Sequence, residues 1–353
     1  MAKVSKREPI EVAGVQVKPG SRQSIDIALP SFYAHSSVNM PVHVVHGRRP
    51  GPVLLVTAAI HGDEIIGVEI IRRLLAYKFI DRIRGTLIAI PVVNVYGFVS
   101  KSRYLPDRRD LNRSFPGSES GSMASRLANV LMTEIVPQCT HIVDLHSGAV
   151  NRENLPQIRA KITGEPDIEA LARAFGVPVI LDSGLLDNSF RAAANDAGKP
   201  ILVYEAGEAL RFNEVAIRAG VKGVLSVMAA LDMRLKKKPR RLPSTIISST
   251  SRWVRAPQSG ILRALVGTGA KITAGDTLAF INDPMGENHV ELIAETDGVV
   301  IGKTNLPLVF AGEAVFNIAA YEKLDQVSSR IDAYHEQLAP DGSEVEYDEP
   351  PLV

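Results

Sequence analysis

The chain has one cysteine, Cys139, in 353 residues. A lone thiol excludes an intramolecular disulfide and any metal site built from several thiolates. An excess of either charge is also missing. Forty Lys and Arg face 39 Asp and Glu, so no global field recruits nucleic acid or an anionic membrane. No apolar run approaches the roughly eighteen residues that read as a membrane span. The opening "MAKVSKREPIEVAG" lacks the apolar core of a secretory leader. A soluble, cytoplasmic protein is the expectation. What is present is globular material, 45% apolar and 22% charged, in a chain long for one domain and comfortable for two.

Residues 10–47 alternate apolar and polar, as in "IEVAGVQVKPG" and "MPVHVVHG", which predicts short antiparallel strands. From 52 to about 233 the rhythm changes. Strands are predicted at 53–60, 86–94, 141–146, 178–181 and 200–207, and helices at 64–79, 121–136, 167–175, 189–197 and 213–235. Alternation of this kind predicts an α/β fold with a mixed, largely parallel sheet and helices on both faces. A catalytic domain over 1–245 would end in the basic run "KKKPRRLPS", 236–244, which reads as a linker because it holds two prolines and no interleaved aromatics.

Residues 246–325 carry many short glycine-punctuated strands and no helical pattern, a small all-β unit. This unit resembles the biotinyl/lipoyl-like barrel, with "GILRALV…AGDTLAFI" echoed by "DGVVIGK…AGEAVFNI". Where carrier domains present a modifiable lysine, this chain reads "DPMGENHVEL", so no swinging-arm role is expected. The segment 326–353 reads as an acidic tail.

Chemistry concentrates where apolar strands end. "TAAIHGDEIIGVE" places His61 and Glu64 three apart after "VLLVTAAI". An imidazole and a carboxylate at that spacing, on one side of a first helical turn, can share a metal. They can equally open a helix, where the dipole favours a carboxylate. No histidine follows Glu64 directly, so this is not the sequential H-x-x-E-H arrangement, and a third ligand must come from elsewhere. His146 in "HIVDLHSG" is the candidate, because parallel strands bring their carboxyl ends to one edge. Asp144, two residues earlier, shares its face and can orient it. His35, His43, His46, His289 and His335 sit in structural or solvated contexts, and His141 starts its strand. In "SKSRYLPDRRDLNRSFPG", 100–117, the arginines and Asn112 offer donors for a carboxylate. Glu205 interrupts the apolar strand "ILVYEAGE", where a carboxylate beside a metal-activated water suits a general base. Glu208, beyond Gly207, is the alternative.

Together these motifs resemble the succinylglutamate desuccinylase/aspartoacylase family, with its zinc carboxypeptidase-like fold, over about 50–325. "HGDE" and "DLHSG" look like its zinc motifs and imply one Zn2+ per chain on His61, Glu64 and His146. "SRYLPDRRDLNR" is similar to the stretch that carries the carbonyl-polarising arginine and the carboxylate clamp, implying Arg103, Asn112 and Arg113. The spacing from Arg103 to "DLNR" is longer than in aspartoacylases, and Arg108 and Arg109 are the alternatives. "YEAG" resembles the catalytic glutamate motif and points to Glu205. The resemblance implies hydrolysis of the amide bond of a small N-acyl amino acid, N-succinyl or N-acetyl, by metal-activated water. A homo-oligomer is compatible with it. Its rivals are a deacetylase of N-acetylated diamino acids, a metallocarboxypeptidase acting on peptide C-termini, and a catalytically dead binding module.

Overall fold

A computed structural model describes residues 7–32, 34, 36–234, 245–321 and 334. The basic run 236–244, His35, His335 and nearly all of 326–353 lie outside the described residues.

Two short strands, β1 (Ile10–Val12) and β2 (Val15–Val17), form an antiparallel pair of their own. β3 (Ser21–Leu29) and β4 (Val38–His46) pair antiparallel along their whole length. Ile25, Ile27 and Leu29 are buried while their neighbours are exposed, as a two-residue period requires. Next come β5 (Arg49–Ala58), α1 (Ile66–Ala76), β6 (Arg84–Ile90), α2 (Val95–Ser100), α3 (Met123–Val130) and β7 (His141–Gly148). β8 (Arg152–Ala160), α4 (Pro166–Phe175), β9 (Val179–Asp182), α5 (Phe190–Asp196), β10 (Ile201–Glu208) and α6 (Glu214–Ala230) follow.

The centre of the sheet runs β6-β5-β7-β10, all parallel. β4 flanks β6 antiparallel, and β8 flanks β10 antiparallel. The sheet is therefore mixed to a greater degree than the alternation of elements suggests. The reason is local: residues 149–151 between β7 and β8 are too few for a crossover helix, so β8 must run back.

Helices cover both faces. Ile66, Ile70, Ile71 and Leu74 of α1 form the three- and four-residue stripe that packs with α4 and α6 against Val56, Val143 and Tyr204. On the other face α3 and α5 pack Leu127, Ala128, Phe190 and Ala194 against Leu55, Ile88 and Ile142. Ser122, Ser189 and Asn213 cap α3, α5 and α6 by accepting a backbone N–H three residues on.

Two elements escaped the sequence reading. β8, "RENLPQIRA", holds Pro156 amid polar residues, which argues against an interior strand. Pro156 falls at the register shift where β8 passes from β17 (Gly298–Thr304) to β9, so no ladder bond is lost there. α2 is absent from the expected elements, and the strand expected over 86–94 stops at Ile90; Asn94 then caps α2 by accepting the Gly97 N–H.

Beyond residue 245, β11 (Ile246–Ser248) pairs with β9, and β12 (Ser251–Arg255), β13 (Gly260–Ala264), β14 (Lys271–Ile272) and β15 (Thr277–Asn282) follow. After them come β16 (His289–Ile293), β17, β18 (Leu308–Val309) and β19 (Ala314–Ala319). A four-stranded sheet, β16-β15-β13-β18, shares a core with β17 and β19 through Leu262, Leu278, Ile281, Val300 and Phe316. β12, β19 and β17 continue the large sheet, because β17 pairs antiparallel with β8. Among the described residues no helix is long and apolar enough to cross a membrane.

Candidate active site

β5 delivers the chain to the carboxyl edge of the sheet, and Ala59 turns it with φ at +51°. That left-handed conformation is uncommon for a residue with a Cβ and persists where neighbours enforce it. Here the Ala58 and Ala59 carbonyls accept the Val93 and Asn94 N–H groups at 3.0 and 2.9 Å. The Glu64 N–H donates to the His61 carbonyl at 3.1 Å. α1 starts at Ile66, so His61 and Glu64 face each other across a turn that precedes the helix, not across its first turn. Gly62 makes the turn possible, since a Cβ there would run into the Gly97–Phe98 backbone of α2.

His61, Glu64 and His146 are buried, and a ligand atom of each lies within 4.8 Å of the others. His61 Nδ1 is 2.7 Å from Glu64 Oε1, and His146 Nδ1 is 2.7 Å from Glu64 Oε2. The Ser147 N–H donates to the same Oε2 at 3.1 Å. Behind the cluster, His146 Nε2 lies 2.8 Å from Asp144 Oδ2, while Thr57 donates to the other Asp144 oxygen at 2.7 Å. Donation from Nε2 fixes the tautomer that leaves Nδ1 free for a metal.

Burial opposes charge on all three side chains, and their mutual attraction outweighs it. Glu64 is held well below the usual carboxylate range by His61 and His146, against its desolvation. His146 is raised well above an ordinary histidine by Asp144 and Glu64, and His61 is raised by Glu64 and Asp110, again against burial. His61 Nε2 is buried, 3.3 Å from Asp110 Oδ1 but outside hydrogen-bond geometry. Two imidazole nitrogens aimed at one buried carboxylate, beside a third nitrogen without a hydrogen bond, can bind a metal. A set of three such ligands leaves a fourth position open.

Arg103 reaches the cluster. Its Nη1 lies 3.3 Å from Glu64 Oε1, and its Nε and Nη2 donate to Asp110 Oδ2 at 3.1 and 3.0 Å. Arg108 and Arg109 are exposed on a turn that points them away, Arg108 with φ at +62°. Asp110 escaped the sequence reading, although it lies inside "DLNR" and joins Arg103 to His61. Asn112 accepts the Phe190 N–H through Oδ1 at 2.8 Å, which leaves its Nδ2 as a donor. Arg113 is exposed, donates to the Asn112 carbonyl at 2.7 Å, and is in no ion pair among the described residues.

Glu205 stands beside His146 in the parallel ladder of β7 and β10. It is half-buried and not unpartnered, because Asn154 Nδ2 donates to its Oε2 at 3.0 Å. Glu208 accepts the Asn151 N–H at 3.0 Å and Asn305 Nδ2 at 2.8 Å, so both of its oxygens tie loops together. Arg191 interacts electrostatically with Glu205 and with Arg159, whose buried Nε has no hydrogen-bond partner among the described residues. Asn154, Arg159 and Arg191 also went unread. Two of them lie on β8, which the sequence hides.

The chain is a mixed α/β protein with a buried histidine–glutamate–histidine group at the carboxyl edge of its sheet. The sequence profile of the succinylglutamate desuccinylase/aspartoacylase catalytic domain matches residues 50–231, and the chain belongs to that family. It is 28% identical over 302 residues to the N-alpha-acetyl-L-2,4-diaminobutyric acid deacetylase of Halomonas elongata, covering 81% of this chain and 87% of that one. Among solved structures, product-bound ectoine utilization protein EutE (DoeB) from Ruegeria pomeroyi superposes with a TM-score of 0.79 at 25% identity. That match covers 90% of this chain and all of the other. The succinylglutamate desuccinylase/aspartoacylase of Rhodobacter sphaeroides gives 0.76 at 26% identity, covering 86% and 95%.

Proposed function

We propose that the protein is a zinc-dependent amidohydrolase of the cytoplasm that cleaves the amide bond of an N-acyl amino acid. The observation that carries this reading is the convergence of His61, Glu64 and His146 in one buried group, with Arg103 against it and Glu205 beside it. The catalytic unit is 1–245, and the β unit over 246–325, barrel-like and without a carrier lysine, shapes the site.

One zinc per chain on these ligands would lower the pKa of water toward about 7 and polarise the scissile carbonyl. Glu205 takes the proton of the attacking water and returns it to the leaving nitrogen, so the products are a carboxylate and a free amine. Arg103 donates to the carbonyl oxygen as it gains charge. Asn112, through Nδ2, and Arg113 bind the substrate carboxylate.

The Halomonas relative supports a second reading, a deacetylase of N-acetylated diamino acids. Arg191, which interacts with Glu205, favours an acid over an ammonium group on that side, and with it the N-succinyl or acidic N-acyl class. Zinc-loaded protein assayed on N-succinyl and N-acetyl amino acids, N-acetylated diamino acids and C-terminal peptides decides between them. N-acyl amino acids should be hydrolysed, with elemental analysis giving one zinc per chain. Cleavage of peptides alone would replace this function with a carboxypeptidase, and a protein that binds no metal would end the zinc mechanism.

A further inference from the structure

We propose that Asn154 is the positioning residue of Glu205, and that the β unit holds Asn154 in place through Gly302. The inference rests on the reading of Glu205 as general base and extends it to the neighbouring strand and beyond.

Glu205 lies where the ladder between β10 and β8 is irregular: Glu205 pairs with Gln157, then Gly207 pairs with Asn154. A carboxylate at such a break has rotational freedom unless something fixes it. The described hydrogen bond to its side chain comes from Asn154, whose Nδ2 donates to Oε2 at 3.0 Å. One oxygen is thereby anchored and Oε1 is left for a proton. An amide is suited to this task, because it holds a carboxylate without supplying a proton of its own.

Asn154 is in turn confined from the other side. β17 pairs with β8 at Gly302↔Asn154. A Cβ on Gly302 would lie 2.8 Å from Asn154 Oδ1 and 3.4 Å from the Glu153 carbonyl. Gly302 does not have the positive φ that would call for glycine on backbone grounds; the absent side chain leaves room for the amide. Three residues on, Asn305 donates its N–H to the Asn151 carbonyl at 2.7 Å, which holds β17 to the start of β8. A strand of the C-terminal unit thus forms the back wall behind the amide that orients Glu205.

The test is a double-mutant cycle on zinc-loaded full-length protein, with kcat, KM, zinc content and Tm measured for each variant. Asn154→Ala should lower kcat about 10- to 100-fold, the usual cost of a misplaced catalytic group, with KM and zinc content close to wild type. Asn154→Asp keeps the shape and removes the donor, so it should be no better than the alanine; recovery of kcat there would reduce Asn154 to packing and overturn the proposal. Gly302→Ala should lower kcat several-fold, and should add nothing once Asn154 is alanine. In a Glu205→Gln background neither change should lower kcat further, because the group they orient has gone. If Glu205→Gln itself keeps turnover, the reading of Glu205 fails. If Glu205→Gln abolishes turnover while Asn154→Ala leaves kcat intact, the positioning role alone fails.

Discussion

Glu64 gathers His61, His146, Arg103 and the Ser147 N–H around one buried carboxylate. Without metal, the raised histidines contribute stability in full below the ordinary histidine pKa and lose it as pH rises through their folded values. Glu64, depressed, contributes above the ordinary carboxylate range and loses that only in strong acid. A metal must displace the imidazole protons, so its affinity falls as pH falls. The gap in Tm between zinc-loaded and chelated protein should therefore widen from pH 5.5 to pH 8. A gap that narrows would show that these histidines are not ligands. Arg103 belongs to the same scale. Arg103→Ala should cost about 10²–10³ in kcat, as for the loss of one oxyanion donor, while Arg108→Ala and Arg109→Ala should leave kcat within about twofold. Equal losses from all three would mean that the polarising arginine has been misassigned.

Among the elements, the turn between β5 and α1 works because α2 closes over Gly62 and α1 sits down over Gly67, where a Cβ would meet those of Ala58 and Leu145 at 2.7 Å. Gly62→Ala must push apart two backbones, and overpacking of that kind costs about 1–3 kcal/mol. Urea unfolding should register that loss, and zinc content should fall with it, because the displaced turn carries His61. Unchanged metal binding would show that the turn is more compliant than its packing implies. "HGDE" was legible because a polar cluster broke an apolar strand. The helix start lies two residues beyond the expected one because the turn ends on apolar Ile65, which extends the helical pattern backwards.

For the whole molecule, β17 extends the large sheet beyond β8, and Glu208 ties the two strands' loops together by holding Asn151 and Asn305. Glu205 and Glu208 are three residues apart on one strand and should behave as opposites. Glu208→Ala should lower stability by about 1 kcal/mol, typical for lost hydrogen bonds, and leave zinc content and most of kcat intact. Glu205→Gln should keep the wild-type Tm and lower kcat by about 10²–10⁴-fold, the usual share of a positioned proton transfer. Exchange of these outcomes would move the catalytic role to Glu208.

The alternation of apolar strands and helical stripes determined an α/β sheet with polar side chains gathered at its carboxyl edge, because period and burial are properties of neighbouring residues. His61, Glu64, His146 and Glu205 stand out in the sequence for the same reason: each is polar within or just after an apolar run. Between Arg103, Arg108 and Arg109 the sequence could not choose, since all three share one polar loop. The fold sets them apart, holding Arg103 against Asp110 and exposing the other two. Only the tertiary structure brought Asp110 to His61, Asn154 to Glu205 and Gly302 to Asn154. Asn154 and Gly302 are 148 residues apart, and each is unremarkable among its neighbours in the chain. A contact of that kind is created by strand register, and register depends on the packing of the whole sheet.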